Sequence, residues 1–173
     1  LQGHAKNDEK TRDIFLELMG KQAYKMERLI QDLMSLSRLE VQETKPITTK
    51  CLIFDIIEEL LENLKPIAID SKVTISNNIS KKMEPITGDH SQLTQMYANL
   101  IENGIKYSGP GSKIKIYESK EKSTSMIAIV VADNGTGISS EHINRLTERF
   151  YRANSNAELE KEGTGLGFSL VKH

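Results

Sequence analysis

The stretch Gln92–Ser108, QLTQMYANLIENGIKYS, decides the fold. Leu93, Met96, Tyr97, Leu100, Ile101 and Gly104 recur at i, i+3, i+4, i+7, i+8 and i+11, the spacing of one buried helical stripe. Asn99, Asn103 and Lys106 fall at i, i+4 and i+7 and share a second, polar stripe. A surface helix usually carries mixed charges there; this one aligns two amides and an ammonium. An amide oxygen is a hard neutral ligand that suits Mg2+, and a Lys ammonium suits phosphate as a point charge. Taken alone, the helix leaves two readings open, a solvated face or a ligand-binding one. Its start signal is Gly88-Asp89-His90-Ser91-Gln92: Asp89 can cap, with Gln92 three residues on as in a capping box, and His90 reads as an exposed first-turn residue.

Upstream, residues 1–10, LQGHAKNDEK, read as a loop or helix end, with Gly3, Asn7 and Asp8 interrupting any pattern. His4 has no neighbouring carboxylate to orient it and reads as an ordinary exposed histidine. Residues 11–40 form one long amphipathic helix, with Ile14, Phe15, Leu18, Met26, Leu29, Leu33 and Leu36 as its seam. Glu27, Arg28, Asp32 and Arg38 lie outside that seam, and Gly20 weakens the helix locally by about 1 kcal/mol. At 1.5 Å per residue it runs about 45 Å, more than a small domain covers. A partner helix is implied, from an upstream segment or a second chain; the alternative is a helix lying along its own domain. Pro46 ends this tract, Ile47–Lys50 can form a short strand, and Leu52–Ser71 reads as a second amphipathic helix. Ile53, Ile56, Ile57, Leu60, Leu61, Leu64, Ile67 and Ala68 make its apolar face, and Pro66 predicts a kink or an early end. Val73–Ile79 alternates as a strand, and Met83–Thr87 is a second candidate.

Downstream, Ser108-Gly109-Pro110-Gly111-Ser112 is a turn by composition. Lys113–Ser119 alternates as a strand, with Ile114 and Ile116 facing one way and Lys113, Lys115 and Tyr117 the other. The nearly continuous apolar run Ser125–Ala132 predicts a central buried strand, with Asp133 at its end. Helical patterning returns at Ser140–Arg149 and again from Leu166, either side of a polar segment around Ala153–Gly163. Two glycine motifs stand out. Asp133-Asn134-Gly135-Thr136-Gly137 puts a carboxylate at a strand end before glycines that let backbone approach a ligand; a plain turn is the alternative. An ionised carboxylate only accepts hydrogen bonds, and an adenine amine would serve as donor. Gly163-Thr164-Gly165-Leu166-Gly167 leads into a helix and has the composition of a phosphate cradle, though such a run is weak on its own.

A chain of 173 residues can hold one domain with a full core, or one plus an appendage. Its net charge is -1 and its basic residues are dispersed, so nothing steers it toward nucleic acid. A single cysteine, Cys51, excludes an internal disulfide framework and fits a reducing compartment. The longest apolar run, Met126–Ala132, falls far short of the roughly 20 residues that span a bilayer, and no signal peptide opens the chain. The sequence reads as cut at both ends: it begins inside a polar segment and stops as a new apolar pattern starts.

In this order the pieces resemble the conserved boxes of sensor histidine kinases. N-L-I-E-N-G-I-K-Y at 99–107 is similar to their N box, D-N-G-T-G at 133–137 to G1, R-F-Y-R at 149–152 to F and G-T-G-L-G at 163–167 to G2. S-R-L-E at 37–40 resembles the end of the second dimerisation helix, and E-R-F-Y-R with G-T-G-L-G-x-x-x-V-K-H looks most like the phosphate-regulon type. The resemblance implies an α+β fold, the Bergerat-type α/β sandwich of helices on a mixed sheet, at 46–173. Residues 1–45 would be the second helix of the dimerisation domain. It implies ATP and Mg2+ as cofactors. By position, Asn103 would ligate the metal with Asn99 in support, Lys106 would contact phosphate, and Tyr107 would line the pocket. Asp133 would bind the adenine amine, with Gly135, Gly137 and Ile138 at the adenine end. Gly163, Thr164, Gly165, Leu166 and Gly167 would pass the backbone close to the phosphates. Residues 138–162 would form a lid, with Phe150 and Arg152 as its contacts.

The implied catalytic residues are Asn103, Lys106 and Glu102, the last either catalytic or structural. Also implied are a homodimer through the N-terminal helix, a response regulator receiver domain as partner, and a cytoplasmic fragment without membrane contact. The full-length protein would sit at the inner face of the cell membrane. The sequence departs from the pattern in places. The acceptor box H-[ED]-x-x-[TN]-P is absent and would lie upstream of Leu1, so His4 is not assigned as acceptor. Gly104 replaces a usual alanine and Phe168 a usual leucine. Two other readings compete: another ATPase of the same superfamily, and a non-enzymatic dimerisation scaffold with a degenerate pocket.

Overall fold

A computed structural model describes residues 8–40, 48–120, 127–153 and 163–172. The chain divides into two units, Leu1–Gln42 and Glu43–His173. The loop predicted at 1–7 with His4, Pro46 with Ile47, and positions 154–162 of the expected lid lie outside the described residues.

The first unit contains α1 (Glu9–Glu40, 32 residues), which begins two residues before the sequence pattern does. Asp8 explains the earlier start. Its carboxylate accepts from Lys10 N at 3.2 Å and from the Thr11 hydroxyl, and Arg12 N donates to its carbonyl at 2.9 Å. This is N-cap chemistry at a position the sequence pattern marked as an interruption. The bond from Thr11 in particular holds the Asp8 carboxyl below its ordinary range. The helix continues through Gly20. Its seam residues Ile14, Phe15, Leu18, Met26 and Leu33 are exposed.

The second unit runs β1 (Thr49–Cys51), α2 (Ile53–Asp70), β2 (Thr74–Asn77), β3 (Ile86–Gly88), α3 (His90–Ser108), β4 (Lys113–Lys120), β5 (Ile127–Asp133), α4 (Ser140–Ile143) and α5 (Gly167–Lys172). Strand β1 pairs antiparallel with β3. A mixed three-stranded sheet has the order β2-β4-β5, with β2 parallel to β4 and β4 antiparallel to β5. Ile53, Ile56, Ile57, Leu60, Leu64 and Ala68 of α2 join Tyr97, Ile101 and Ile105 of α3 over Ile114 and Ile116 of β4. The class is α+β, helices packed on a mixed sheet, as the resemblance implies.

Several expectations are corrected. Helix α2 spans nearly the expected Leu52–Ser71, and of the two effects expected of Pro66 the early end is absent; the proline's missing N–H removes only one rung of the ladder. Ile67 is 51% exposed rather than part of the apolar face, while Ala68, one residue further along, is buried, so Ile67 lies on the margin of the stripe. Strand β3 begins at Ile86, since Met83 is taken up by a turn in which its N–H bonds to Ser80 O at 3.0 Å. Among the described residues the apolar run before Asp133 pairs on one side only and is not buried as expected, with Ile127 42% exposed. Apolar content does not distinguish a strand buried on both faces from one that buries a single face. The helix expected at 140–149 is one turn, α4, followed by irregular turns.

Candidate functional site

The site is built outward from α3. Asp89 caps it, its Oδ1 accepting from Ser91 N at 2.9 Å, Gln92 N at 3.1 Å and Ser91 Oγ at 2.6 Å. The bond from Ser91, with the Gln92 amide behind it, holds the Asp89 carboxyl below its ordinary range. Tyr97, Ile101 and Ile105 anchor the helix in the core, while Leu93, Met96 and Leu100 are half-buried beside it. The polar stripe is not a solvated face. Asn99 is only 7% exposed, and its buried Nδ2 has no hydrogen-bond partner among the described residues. A buried donor left unpaired costs free energy, so its retention marks a place where an acceptor can arrive.

The glycine-rich segment 163–167 lies against that stripe. A Cβ on Gly167 would stand 3.6 Å from Asn99 Cγ and 3.7 Å from Asn103 Nδ2, so the backbone sits flush with both amides. A Cβ on Gly163 would come within 2.9 Å of Lys106 Nζ and 3.4 Å of Tyr107 Oη. Lys106 Nζ is 5.2 Å from the centroid of the Tyr107 ring. Residues distant in sequence therefore meet: Asn99, Asn103, Lys106 and Tyr107 with Gly163 and Gly167. Leu166 lies within this segment. Its side chain is fully buried, its N–H donates to Thr164 Oγ1 at 3.2 Å, and its carbonyl accepts from Ser169 Oγ at 2.7 Å. It pins the loop to the core through its side chain, and a ligand contact by its N–H would compete with Thr164.

At the other end of α3, Asp133 is exposed rather than buried, with Oδ1 accepting from Gly135 N at 2.8 Å. Being exposed, the carboxylate can accept a further bond from a ligand. Asn134 has a structural role that the sequence did not disclose: its Oδ1 accepts from Lys113 N at 2.6 Å and ties the turn to β4. Gly135 has no room for a side chain, since a Cβ would lie 2.5 Å from Ser108 Cα and 2.9 Å from Asp133 Oδ1. That close approach identifies Ser108, which the sequence placed at the junction of the helix and the following turn without a role in the site. It is 7% exposed and its Oγ is a second buried polar atom without a partner among the described residues. The available signal was its position on α3, four residues beyond Gly104. Gly137 has φ 74°, and Ile138 is exposed nearby in sequence.

Phe150 meets the glycine-rich segment through its backbone. Its N–H donates to Gly165 O at 2.9 Å, and a Cβ on Gly165 (φ 71°) would lie 2.8 Å from Phe150 Cα. Phe150 itself has φ 62°, a region a bulky residue occupies at a cost of about 1–3 kcal/mol. Its ring is exposed, while Arg152 and Glu102 are half-buried.

The residues fit a nucleotide: a buried amide without a partner among the described residues, an ammonium and a backbone cradle, and a carboxylate beside a glycine approach. Among the described residues no cluster of three His, Cys, Asp or Glu side chains could hold a metal by itself. A metal here would take an amide oxygen such as that of Asn103 together with phosphate oxygens, as Mg2+ commonly does.

The chain is similar to several known proteins. Residues 88–173 match the family described as histidine kinase-, DNA gyrase B-, and HSP90-like ATPase. The sensor histidine kinase RppB of Synechocystis sp. is 32% identical over 157 residues, which is 91% of this chain and 34% of RppB. The phosphate regulon sensor protein PhoR of Haemophilus influenzae is 36% identical over 159 residues, 90% of this chain and 35% of PhoR. The chain thus spans about a third of the length of these curated relatives. ShkA, solved at full length in complex with AMPPNP, has a TM-score of 0.76 at 20% identity, covering 95% of this chain and 33% of ShkA. Histidine kinase ThkA, solved in complex with response regulator protein TrrA, has a TM-score of 0.68 at 16% identity, covering 84% and 42%. At such identities the structural likeness speaks for the fold.

Proposed function

Residues 88–173 belong to the histidine kinase-, DNA gyrase B- and HSP90-like ATPases, and on that premise we propose that this chain is the ATP-binding kinase core of a two-component sensor histidine kinase. The observation that carries the reading is the meeting of Asn99, Asn103 and Lys106 with the backbone of 163–167, around a buried Asn99 amide whose Nδ2 has no partner among the described residues. Asn103 offers the oxygen for Mg2+ with Asn99 behind it, and Lys106 neutralises phosphate charge. Tyr107 lines the pocket, the glycine backbone of 163–167 runs beside the phosphates, and Phe150 and Arg152 close it from the lid side. Asp133 accepts the exocyclic amine of adenine, which guanine does not present at that position, with Gly135, Gly137 and Ile138 around the base. Glu102, on the same helix as the ligands, is assigned to catalysis with Asn103 and Lys106. Bound ATP supplies the γ-phosphoryl group, and bound Mg2+ offsets its charge. The residues of this chain position and neutralise, which is most of what phosphoryl transfer asks of a protein.

The acceptor is a histidine outside this sequence, and the phosphoryl group then passes to an aspartate of a response regulator. The complex of ThkA with TrrA supports that class of partner. The exposed seam of α1 supports a homodimer, with residues 1–45 as part of the dimerisation domain and 46–173 as the catalytic domain. No helix among the described residues is long and apolar enough to cross a membrane. The reading puts this part on the cytoplasmic side and any membrane anchor elsewhere in the full-length protein.

The test is a calorimetric titration with a non-hydrolysable ATP analogue and Mg2+, on the wild-type chain and on Asp133→Ala. The wild type should bind, and the variant should lose about tenfold or more, the worth of one charge-assisted hydrogen bond. A folded wild-type chain that takes no nucleotide would refute the reading.

A further inference from the structure

We propose that His142 is a positioning residue of the nucleotide site, acting through Tyr151 to hold the left-handed turn at Phe150 against Gly165. The proposal rests on the ATP-binding reading above and deepens it, since His142 lies outside every motif that carries that reading.

The argument begins with the backbone. After α4, successive turns (Arg145 N to His142 O at 2.9 Å, Glu148 N to Arg145 O at 2.9 Å, Tyr151 N to Glu148 O at 3.3 Å) fold residue 151 back onto residue 142. His142 Nδ1 and Tyr151 Oη lie 2.7 Å apart, a hydrogen bond between half-buried side chains. Arg145 covers the tyrosine ring, its guanidinium carbon 4.1 Å from the centroid. Arg145 is in turn held by the Glu148 carboxylate at 3.2 Å, a pairing that raises the guanidinium pKa above its ordinary value. Tyr151 is thus gripped at its hydroxyl by histidine and on its face by arginine.

The next residue back, Phe150, has φ 62°, a conformation that persists in a bulky residue only where its surroundings over-determine it. Its 58% exposed ring does not supply that constraint. On one side the constraint is Gly165, whose carbonyl accepts the Phe150 N–H and whose missing Cβ leaves room for the Phe150 backbone. On the other side it is Tyr151. Without its hydroxyl pinned, Phe150 can relax toward negative φ and Gly165 O loses its donor. The 163–167 segment beside Lys106, Asn99 and Asn103 then loosens.

Two readouts on the whole chain test this: amide hydrogen exchange at Phe150 without nucleotide, and the Kd for a non-hydrolysable ATP analogue with Mg2+. The variants are His142→Ala and Tyr151→Phe, the latter keeping the ring under Arg145. Each should speed exchange at Phe150 and weaken binding by about two- to tenfold, the range of one neutral hydrogen bond. The double variant should be no weaker than the more affected single, and exchange in α2 and β4 should stay at wild-type rates. His142→Asn, whose amide can stand in for Nδ1, should restore most of the affinity. Singles that leave both readouts at wild type would overturn the proposal, as would effects that multiply in the double variant or exchange raised across the whole second unit. A folded wild type that binds no analogue fails the ATP reading and the positioning role with it. Wild-type binding with unaffected variants fails the positioning role alone.

Discussion

Replacing Gly104 by alanine sets two effects of opposite sign against each other at one atom. An alanine in the interior of α3 gains about 1 kcal/mol of helix propensity over glycine. Its Cβ, however, would stand 2.8 Å from Ile114 Cδ1 and 3.4 Å from Cγ1. Carbon atoms in contact prefer about 3.5–4.0 Å, so Cδ1 must move by roughly 0.7 Å or more. Ile114 is 0% exposed, in the middle of the core between α2, α3 and β4. Its terminal methyl can leave only by going off-rotamer or by displacing packed neighbours, at about 1–3 kcal/mol. Gly104→Ala should therefore be neutral to destabilising, by about 0–2 kcal/mol, despite the better helix former. Ile114→Val removes the offending methyl and should cost about 0.5–1.5 kcal/mol by itself. In the double variant the overlap is gone and the helix gain returns, so the two changes should couple favourably by about 1–3 kcal/mol. Urea titrations of the four proteins, followed by circular dichroism and extrapolated linearly, measure this cycle. Additivity within about 0.5 kcal/mol, or a Gly104→Ala variant stabilised by the full helix propensity, would refute the packing argument.

Two further predictions concern the ends of α3. Asp89→Ala should cost about 1 kcal/mol at neutral pH, through loss of the N-cap. Because the folded Asp89 carboxyl lies below its unfolded value, its contribution is complete above the unfolded pKa and is lost as pH falls through the folded one. The stability gap between wild type and Asp89→Ala should accordingly close on acidification below about pH 4; urea midpoints from pH 7 down to 3 read it directly. At the opposite end, Gly135→Ala puts a Cβ 2.5 Å from Ser108 Cα, where only backbone movement can make room. That movement should carry Asp133 with it and cost about 1–3 kcal/mol of stability. Nucleotide affinity should fall by more than about tenfold, the scale of one charge-assisted bond. Wild-type affinity in this variant would show that the close approach does not set the carboxylate.

Much of this protein was legible because local chemistry settles local structure. Asp89 followed by an apolar 3.6-residue period sufficed to place α3, and the alternation of Ile114 and Ile116 with Lys113, Lys115 and Tyr117 sufficed to orient β4. The asparagines and glycine motifs, in their order, carry the resemblance that implies a nucleotide site. Other features depend on what lies across the fold. The run before Asp133 is apolar whether its strand is central or at an edge. Pro66 is a helix breaker by chemistry, yet packing along the rest of α2 outweighs one lost hydrogen bond. Ile67 lies at the margin of the apolar stripe and stays exposed, while Ala68 beside it is buried.

The candidate site divides along the same line. Residue types offered groups suited to phosphate, metal and adenine in Lys106, Asn103 and Asp133, and their roles there are what the resemblance to sensor histidine kinases implies. Tertiary structure alone decided that Gly167 packs against a buried Asn99, that Ser108 stands beside Gly135, and that Gly165 clasps a left-handed Phe150. Each of these is a contact between segments far apart in the chain. Burial and close approach belong to pairs of surfaces, and a one-dimensional pattern specifies only one surface at a time.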